Sequence, residues 1–330
     1  MKNILVIGGG SIGKRHMRNL LSIGEKNVFV VEPNEKRALE EIEKKHNIKT
    51  FRSLEEAYDE INFDIAFVCS PSVFHIENAM FCAEKGSDLF IEKPLSHNLE
   101  KVDELLKIVK DKKLITMIGS NWKFYPLFKK MKELIDGKAI GKIFSARCQF
   151  GQYLPGWHPW EDYKNGYSAN KKLGGGVLLD SHEFDYLTWF LGGVKKLACF
   201  ADKVSDLEIN TEDVAETILQ FESGVIAEIH VDYLQRFYQR NFEFFGELGT
   251  IKWDTNEKSV ELLVINKEKE VFNLNKEYDI NDMYIDEVRH FLDSVQKRQD
   301  SCTNIERGAE VLRLICASKE SSLNNSVFIN

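Results

Sequence analysis

The chain carries little that would staple or anchor it. Its cysteines, Cys69, Cys82, Cys148, Cys199, Cys302 and Cys316, are scattered with no Cys-x-x-Cys pair, and several sit inside apolar runs. Buried free thiols in a reducing cytosol are therefore expected, with no disulfides and no metal site. No segment approaches the roughly 18 uninterrupted apolar residues that mark a membrane span. Met1-Lys2-Asn3 leads directly into a strand pattern, which leaves no room for a signal peptide, so a cytoplasmic protein is expected. Positive charge is also in short supply. With 44 Lys and Arg against 52 Asp and Glu the net charge is −8, which argues against nucleic acid or an anionic membrane as the main partner. Internal repeats, low-complexity tracts and long linkers are missing too, so the domains are expected to share an interface.

What is present suits a globular chain of two domains. The length is 330 residues and the hydrophobic fraction 43%, enough for two cores. Lys and Glu interleave over Glu35–Lys45 and Glu100–Lys113, as on solvated helix faces. The opening carries the most information. Ile4-Leu5-Val6-Ile7 runs into Gly8-Gly9-Gly10-Ser11-Ile12-Gly13, and a helix-compatible segment follows. This is the strand–turn–helix of a dinucleotide site. Gly8 permits the tight turn, Gly10 lets the backbone approach a pyrophosphate, and Gly13 lets helix and strand pack closely. Free N–H groups at the start of the helix, including those of Ser11 and Ile12, and the helix dipole favour the phosphates. A second apolar run, Val28–Val31, ends in Glu32, about 20 residues beyond the last glycine, as the dinucleotide pattern requires. A carboxylate there accepts hydrogen bonds from the adenine ribose and repels a 2′-phosphate, so NAD is expected over NADP. Arg37 is the counter-indication, being able to reach a 2′-phosphate.

The first ~120 residues alternate short apolar runs with helical patterns, the signature of a doubly wound parallel sheet. Strands are expected at 49–51, 63–69, 88–91 and 114–119, with helices near 35–46, 74–85 and 99–112. Ligands of such sheets bind beyond the C-terminal strand ends. Gly8–Gly13, Glu32, Cys69-Ser70-Pro71 and Glu92-Lys93-Pro94 then share one rim. Beyond Pro126 come a helix over 127–135, a strand over 142–150 and an aromatic loop holding Trp157, His158, Trp160, Tyr163 and Tyr167. Gly174-Gly175-Gly176 precedes a helix through 180–190. Residues 194–272 read as hairpin-spaced strands of an antiparallel sheet, and helices at 282–296 and 305–321 close the chain. The expected architecture is a Rossmann domain over 1–121 and an α+β domain over 122–330 with a large, mostly antiparallel open sheet. That sheet leaves one broad face to cover, so a homodimer or homotetramer built through it is expected.

Glu92-Lys93-Pro94 directly after a parallel strand is more specific than the glycine loop. Together with Gly8–Gly13, Ser70-Pro71, His75, Asn121 and Gly174–Asp185, it resembles the glucose–fructose oxidoreductase, inositol dehydrogenase and rhizopine-catabolism family (Gfo/Idh/MocA). The resemblance spans essentially the whole chain and is strongest over 4–95 and 173–192. It implies an NAD-dependent oxidoreductase in which Lys93 contacts substrate and cofactor and Glu92 binds the nicotinamide ribose. The chemistry is consistent: an ammonium beside the reacting C–OH stabilises developing alkoxide charge. Pro94 would fix the chain there, and a cis bond costs little only before proline. The resemblance also implies that His182 is the acid/base, with Asp185 standing where the family has an acid three residues on. Asp180 is a third catalytic candidate, but it lies two residues before His182 where the family has four. On an ideal helix that spacing means opposite faces, so either a kink restores Asp180 or it caps the helix.

Three further features stay open between alternatives. His75 lies near the nicotinamide or caps the following helix. Asn121-Trp122-Lys123 stands where the family has Asn-x-Arg; Lys123 keeps the charge but loses the bidentate fork. Trp157, His158, Tyr163 and Tyr167 line a sugar or nucleotide-sugar pocket, or form a packed domain or subunit contact. The expected activity is hydride transfer between nicotinamide and a secondary hydroxyl of a sugar or sugar derivative lying between the nicotinamide face and the open sheet. Nucleotide sugars and sialic-acid-like sugars are candidates, with inositol and other polyols as the alternative. A non-catalytic NAD-sensing regulator would need neither Lys93 nor His182. Non-carbohydrate substrates such as a tetrapyrrole or a trans-dihydrodiol remain within the fold's reach.

Overall fold

The computed structural model describes residues 2–157, 162–180, 182–325 and the backbone of 328–329. They form two compact units, 1–121 with 280–312, and 122–279 with 313–330.

The first unit is built on a six-stranded parallel sheet. Its strands are β1 (Ile4–Ile7), β2 (Val28–Val31), β3 (Thr50–Phe51), β4 (Ile65–Val68), β5 (Asp88–Ile91) and β6 (Thr116–Ile118). They lie in the order β3-β2-β1-β4-β5-β6, with every neighbouring pair parallel. β1, β4 and β5 are buried along their whole length, as strands covered on both faces must be. Strand order reverses between β1 and β4, and the glycine loop follows β1 at that switch point. Helix Ser11–Ser22 starts there and buries Gly13, His16, Met17 and Leu20, the spacing of one helix face. The expected helix near 35–46 is a wide π-helical stretch, Arg37–Glu43, continued by Lys44–His46.

Residues 280–312, which the sequence pattern leaves in the second domain, belong to the first unit. Phe291 of helix Asp282–Lys297 sets its ring 5.6 Å from both Phe67 and Phe90. Residues 301–305 then run along the free edge of β6. Ile118 N–H donates to Thr303 O (2.7 Å), Ser301 Oγ to Thr116 O (2.7 Å), and Ile305 N–H to Thr116 Oγ1 (3.0 Å). No alternation announces that contact, because its partners are some 185 residues apart and bond by side chain as much as by ladder.

The second unit holds a nine-stranded sheet: β7 (Ile143–Gly151), β8 (Val194–Asp202), β9 (Val214–Phe221), β10 (Ile226–Asp232), β11 (Gln239–Gly246), β12 (Gly249–Asp254), β13 (Ser259–Val264), β14 (Glu270–Asn273) and β15 (Phe328–Ile329). The order is β14-β13-β12-β11-β7-β10-β9-β8-β15, and every pair is antiparallel except β7 with β10. Ala146, Cys148 and Phe150, with Phe242 and Phe244, alternate onto a buried face. Phe128 of helix Pro126–Asp136 meets Phe242 and Trp253 there at 5.6 and 4.9 Å. The other face is open and carries exposed Phe200, Ile218 and Ile226.

One expected helix divides in two. Helix Val177–Asp180 ends, and a second, Glu183–Leu191, begins with His182 at its N-cap position. Asp180 and His182 therefore do not share one continuous helix, and the opposite-face relation of residues two apart on such a helix does not hold between them.

Candidate active site

In the first unit the predicted cofactor residues gather where the parallel strands end. Gly8 has φ +100°, and a Cβ there would stand 2.8 Å from Cys69 O. A Cβ on Gly13 would overlap the Gly8 carbonyl oxygen, whereas one on Gly10 meets no protein atom within 4 Å. The loop therefore packs tightly at its ends and opens at its centre, the shape a pyrophosphate requires. Gly10 N-caps the helix, and Ser11 and Ile12 begin its first turn, where N–H groups lack intrahelical partners.

Glu32 directly follows β2, and its carboxylate is turned to the loop. Oε2 accepts the Gly9 N–H (2.9 Å), Oε1 accepts the Asn34 N–H (2.8 Å), and Arg37 Nη1 lies 3.1 Å from Oε2. Glu32 is 3% exposed and Arg37 40%, so the guanidinium is the more accessible partner of the pair.

The Glu-Lys-Pro turn is held from two directions. Glu92 Oε1 lies 2.5 Å from Nε2 of His16, and Oε2 accepts the Lys93 N–H at 3.2 Å. Burial would raise the Glu92 carboxyl, but the hydrogen bond and charge of His16, with the charge of Lys93, hold it below the usual carboxylate range. His16 is fully buried and its Nδ1 makes no hydrogen bond. The sequence reading missed His16, although it falls on the apolar stripe of its helix. His75 ties the turn to β4: its ring lies between Pro94 O (Nδ1, 2.9 Å) and Ser70 O (Nε2, 2.7 Å). Burial pushes its pKa down, against these two contacts. His75 is thus a buried strut between strand ends. The Lys93–Pro94 peptide is cis. Asn121 is buried, with Nδ2 3.6 Å from Met283 Sδ, and at the end of β4 burial pushes the Cys69 thiol up.

The second unit holds the other candidates. His182 donates its N–H to Glu183 Oε2 (2.7 Å), and its ring stacks on Tyr186 with centroids 5.8 Å apart and planes at 9°. Asp180 is buried and accepts a hydrogen bond from the Tyr233 O–H (2.6 Å). Tyr233 in turn packs edge-on against Trp157 at 5.5 Å. Lys123, expected to meet substrate, is 3% exposed and its Nζ lies 2.6 Å from Asp185 Oδ1. Tyr163 Oη accepts the Glu208 N–H at 3.3 Å. Tyr167 is half-buried, and its carbonyl leaves no room for a side chain on Gly175. His158 and Trp160 lie outside the described residues. Among the described residues no group of three or more His, Cys, Asp or Glu is arranged to hold a metal ion, and no helix is long and apolar enough to cross a membrane.

A switch-point glycine loop with an open centre, followed along the same rim by Glu-Lys-Pro, defines a dinucleotide-dependent oxidoreductase. Residues 2–120 match the model of the oxidoreductase family with an NAD-binding Rossmann fold, and residues 128–252 match the GFO/IDH/MocA C-terminal domain. The chain belongs to the GFO/IDH/MocA oxidoreductase family. It is 28% identical to the myo-inositol 2-dehydrogenase of Thermotoga maritima over 328 residues, which cover 96% of this chain and 95% of that one. It is 27% identical to the levoglucosan dehydrogenase of Pseudarthrobacter phenanthrenivorans over 76% of this chain and 72% of that enzyme. Among solved structures, a probable dehydrogenase from Thermotoga maritima superposes with a TM-score of 0.81 at 26% identity, covering 99% of this chain and 98% of that one.

Proposed function

We propose that this protein is an NAD-dependent dehydrogenase acting on a secondary hydroxyl of a cyclic polyol or sugar. The observation that carries this reading is the coexistence of Lys93, in a Glu-Lys-Pro turn held by His16 and His75, with His182 at the head of its own helix. A dinucleotide-binding regulator has use for neither group. The relatives named for myo-inositol and levoglucosan support the substrate class. Sugar derivatives such as nucleotide sugars rest on the aromatic loop alone.

The glycine loop fits NAD. The N–H groups around Gly8, Gly10, Ser11, Ile12 and Gly13 would hold its pyrophosphate, Glu32 and Arg37 would face its adenosine, and Glu92 its nicotinamide ribose. When bound, NAD supplies the hydride acceptor. The protein's part is proton handling and orientation. The Lys93 ammonium polarises the substrate oxygen and stabilises its developing negative charge, while the His182 imidazole takes the hydroxyl proton. Asp180 keeps Tyr233 and, through it, Trp157 in place.

The test is NADH formation at 340 nm across a panel of myo-inositol, scyllo-inositol, levoglucosan, free hexoses and nucleotide sugars. Turnover of a cyclic polyol or monosaccharide is expected. Tight NAD binding with no turnover across the panel would convert the reading into that of a sensor. We also infer that the open sheet face bearing Phe200, Ile218 and Ile226 is covered by a second copy of the chain. Light scattering at micromolar concentration should give at least a dimeric mass, and a monomer would refute it.

A further inference from the structure

Glu183 and Arg240 are charged, buried and unused by the chemistry above. Each interrupts an apolar stripe. Arg240 shares its face of β11 with Phe242 and Phe244, and Glu183 lies on the helix face of Leu187 and Phe190. Their side chains are 0% and 6% exposed, with Arg240 Nε 3.2 Å from Glu183 Oε1. Removing two charges from water costs more than such a pair usually returns, and apolar replacements of equal volume are often as stable or more so. Stability alone therefore does not explain the pair.

Its geometry does. Oε2 of Glu183 accepts the backbone N–H of His182 at 2.7 Å, so the carboxylate joins Arg240 to the peptide of the acid/base residue. The Arg240 guanidinium lies over Phe150 at 4.2 Å and Trp122 at 5.0 Å, which fixes the cation. One turn beyond His182, Tyr186 holds the imidazole plane by stacking. The second acid of that turn, Asp185, is anchored by Lys123. We infer that the Glu183–Arg240 pair is a positioning device that fixes the backbone and, with Tyr186, the ring plane of His182. This rests on the assignment of His182 as the acid/base.

The charged and titratable groups packed on this turn include Glu183, Asp185 and Tyr186 of its helix, Asp180 on the helix before it, Lys123 against Asp185, and Arg240 with Tyr238 against Glu183. The experiment uses the full chain loaded with NAD and labelled with ¹⁵N-histidine. It reads kcat and KM with a polyol that the wild type oxidises, and the NMR titration of His182. Glu183→Gln removes a negative charge and should lower the His182 midpoint. Arg240→Met leaves the carboxylate without its cation and should raise it. Each should lower kcat about tenfold or more, the size of a misplaced proton-transfer group, with KM within about threefold. If Arg240→Met fails to fold, Tyr186→Leu serves as the second probe: it removes the stack and should lower kcat and move the His182 resonance. Folded Glu183→Gln and Tyr186→Leu proteins with wild-type kcat and an unmoved His182 titration would overturn the inference. His182→Ala is run alongside. Near-normal turnover there overturns the acid/base assignment instead, so the two failures are told apart.

Discussion

The two units build their candidate chemistry by different means. In the first, backbone does most of the work: glycine positions, strand ends and helix N–H groups form the rim, and side chains such as His16 and His75 only brace it from behind. In the second, side chains distant in sequence converge on two consecutive short helices. Arg240 reaches Glu183 from 57 positions on, Lys123 reaches Asp185 from 62 positions back, and Tyr233 reaches Asp180 from 53 positions on. A site of the first kind is written in contiguous motifs. A site of the second kind is written in exceptions, charged residues where the pattern calls for apolar ones.

That contrast is sharpest at the glycine loop. Gly13→Ala should damage the fold itself, because its Cβ overlaps the Gly8 carbonyl; a loss of about 3 kcal/mol or more in denaturant unfolding is expected. Gly10→Ala should leave unfolding unchanged, since its Cβ meets no protein atom, yet weaken NAD binding about tenfold. Equal stability losses for the two would break the claim that the centre of the loop is shaped for a ligand.

Next in size are the proposed reacting groups, one in each unit. Lys93→Ala and His182→Ala should each lower kcat by roughly 10²-fold or more, with NAD affinity retained. Loss of NAD binding in Lys93→Ala would make that residue structural. Asp180→Asn preserves an acceptor for Tyr233 and should stay within about threefold of wild type; a loss of about tenfold or more would bring the carboxylate into the chemistry.

Cofactor choice tests the first unit again. NAD should bind about tenfold more tightly than NADP, because Glu32 both opposes a 2′-phosphate and occupies Arg37. Glu32→Ala frees Arg37 and should narrow that gap, though it also removes the acceptor for the Gly9 N–H. Titration showing equal affinities in the wild type would overturn the assignment.

The smallest effect concerns the open sheet face. His230 lies between Asp232 (2.7 Å) and Glu216 (2.5 Å), and these carboxylates, Asp232 first, raise its pKa to about 9 against the effect of burial. A folded pKa above the unfolded value of roughly 6.5 stabilises the native state fully below that pH and progressively less up to about 9. His230→Gln should therefore lower Tm most near pH 6, and the gap to wild type should shrink as pH rises through 9. A pH-independent gap would show that the imidazole contributes by packing alone.

Much of this molecule was legible beforehand, for identifiable reasons. The parallel sheet announced itself because strands buried on both faces are continuous apolar runs, and the glycine loop because its backbone geometry admits few substitutes. The family resemblance supplied Lys93 and His182. What escaped were partners that only the tertiary fold brings together. His16 sat in plain view on a buried helix face, and Arg240 in register with Phe242 and Phe244. A polar residue on an apolar stripe signals a hidden partner but does not name it. The helix break between Asp180 and Glu183 was hidden by an apolar period that runs on through it. The expectation for Glu32 concerned a ribose alone; that its carboxylate also takes the Gly9 N–H of the loop was not legible, because that bond depends on how the loop folds back.

The run of 301–305 along β6 bears on how this protein can be taken apart. Cutting the chain after Asn121, where a linear reading of the first domain ends, would strip Thr303 and Ile305 from Thr116 and Ile118 and leave an unpaired strand edge. It would also remove Phe291 from the ring cluster of Phe67 and Phe90. A nucleotide-binding half made in isolation must therefore be spliced from two stretches, 2–121 and 280–312, joined by a short artificial bridge. The unspliced fragment should be recovered as aggregate.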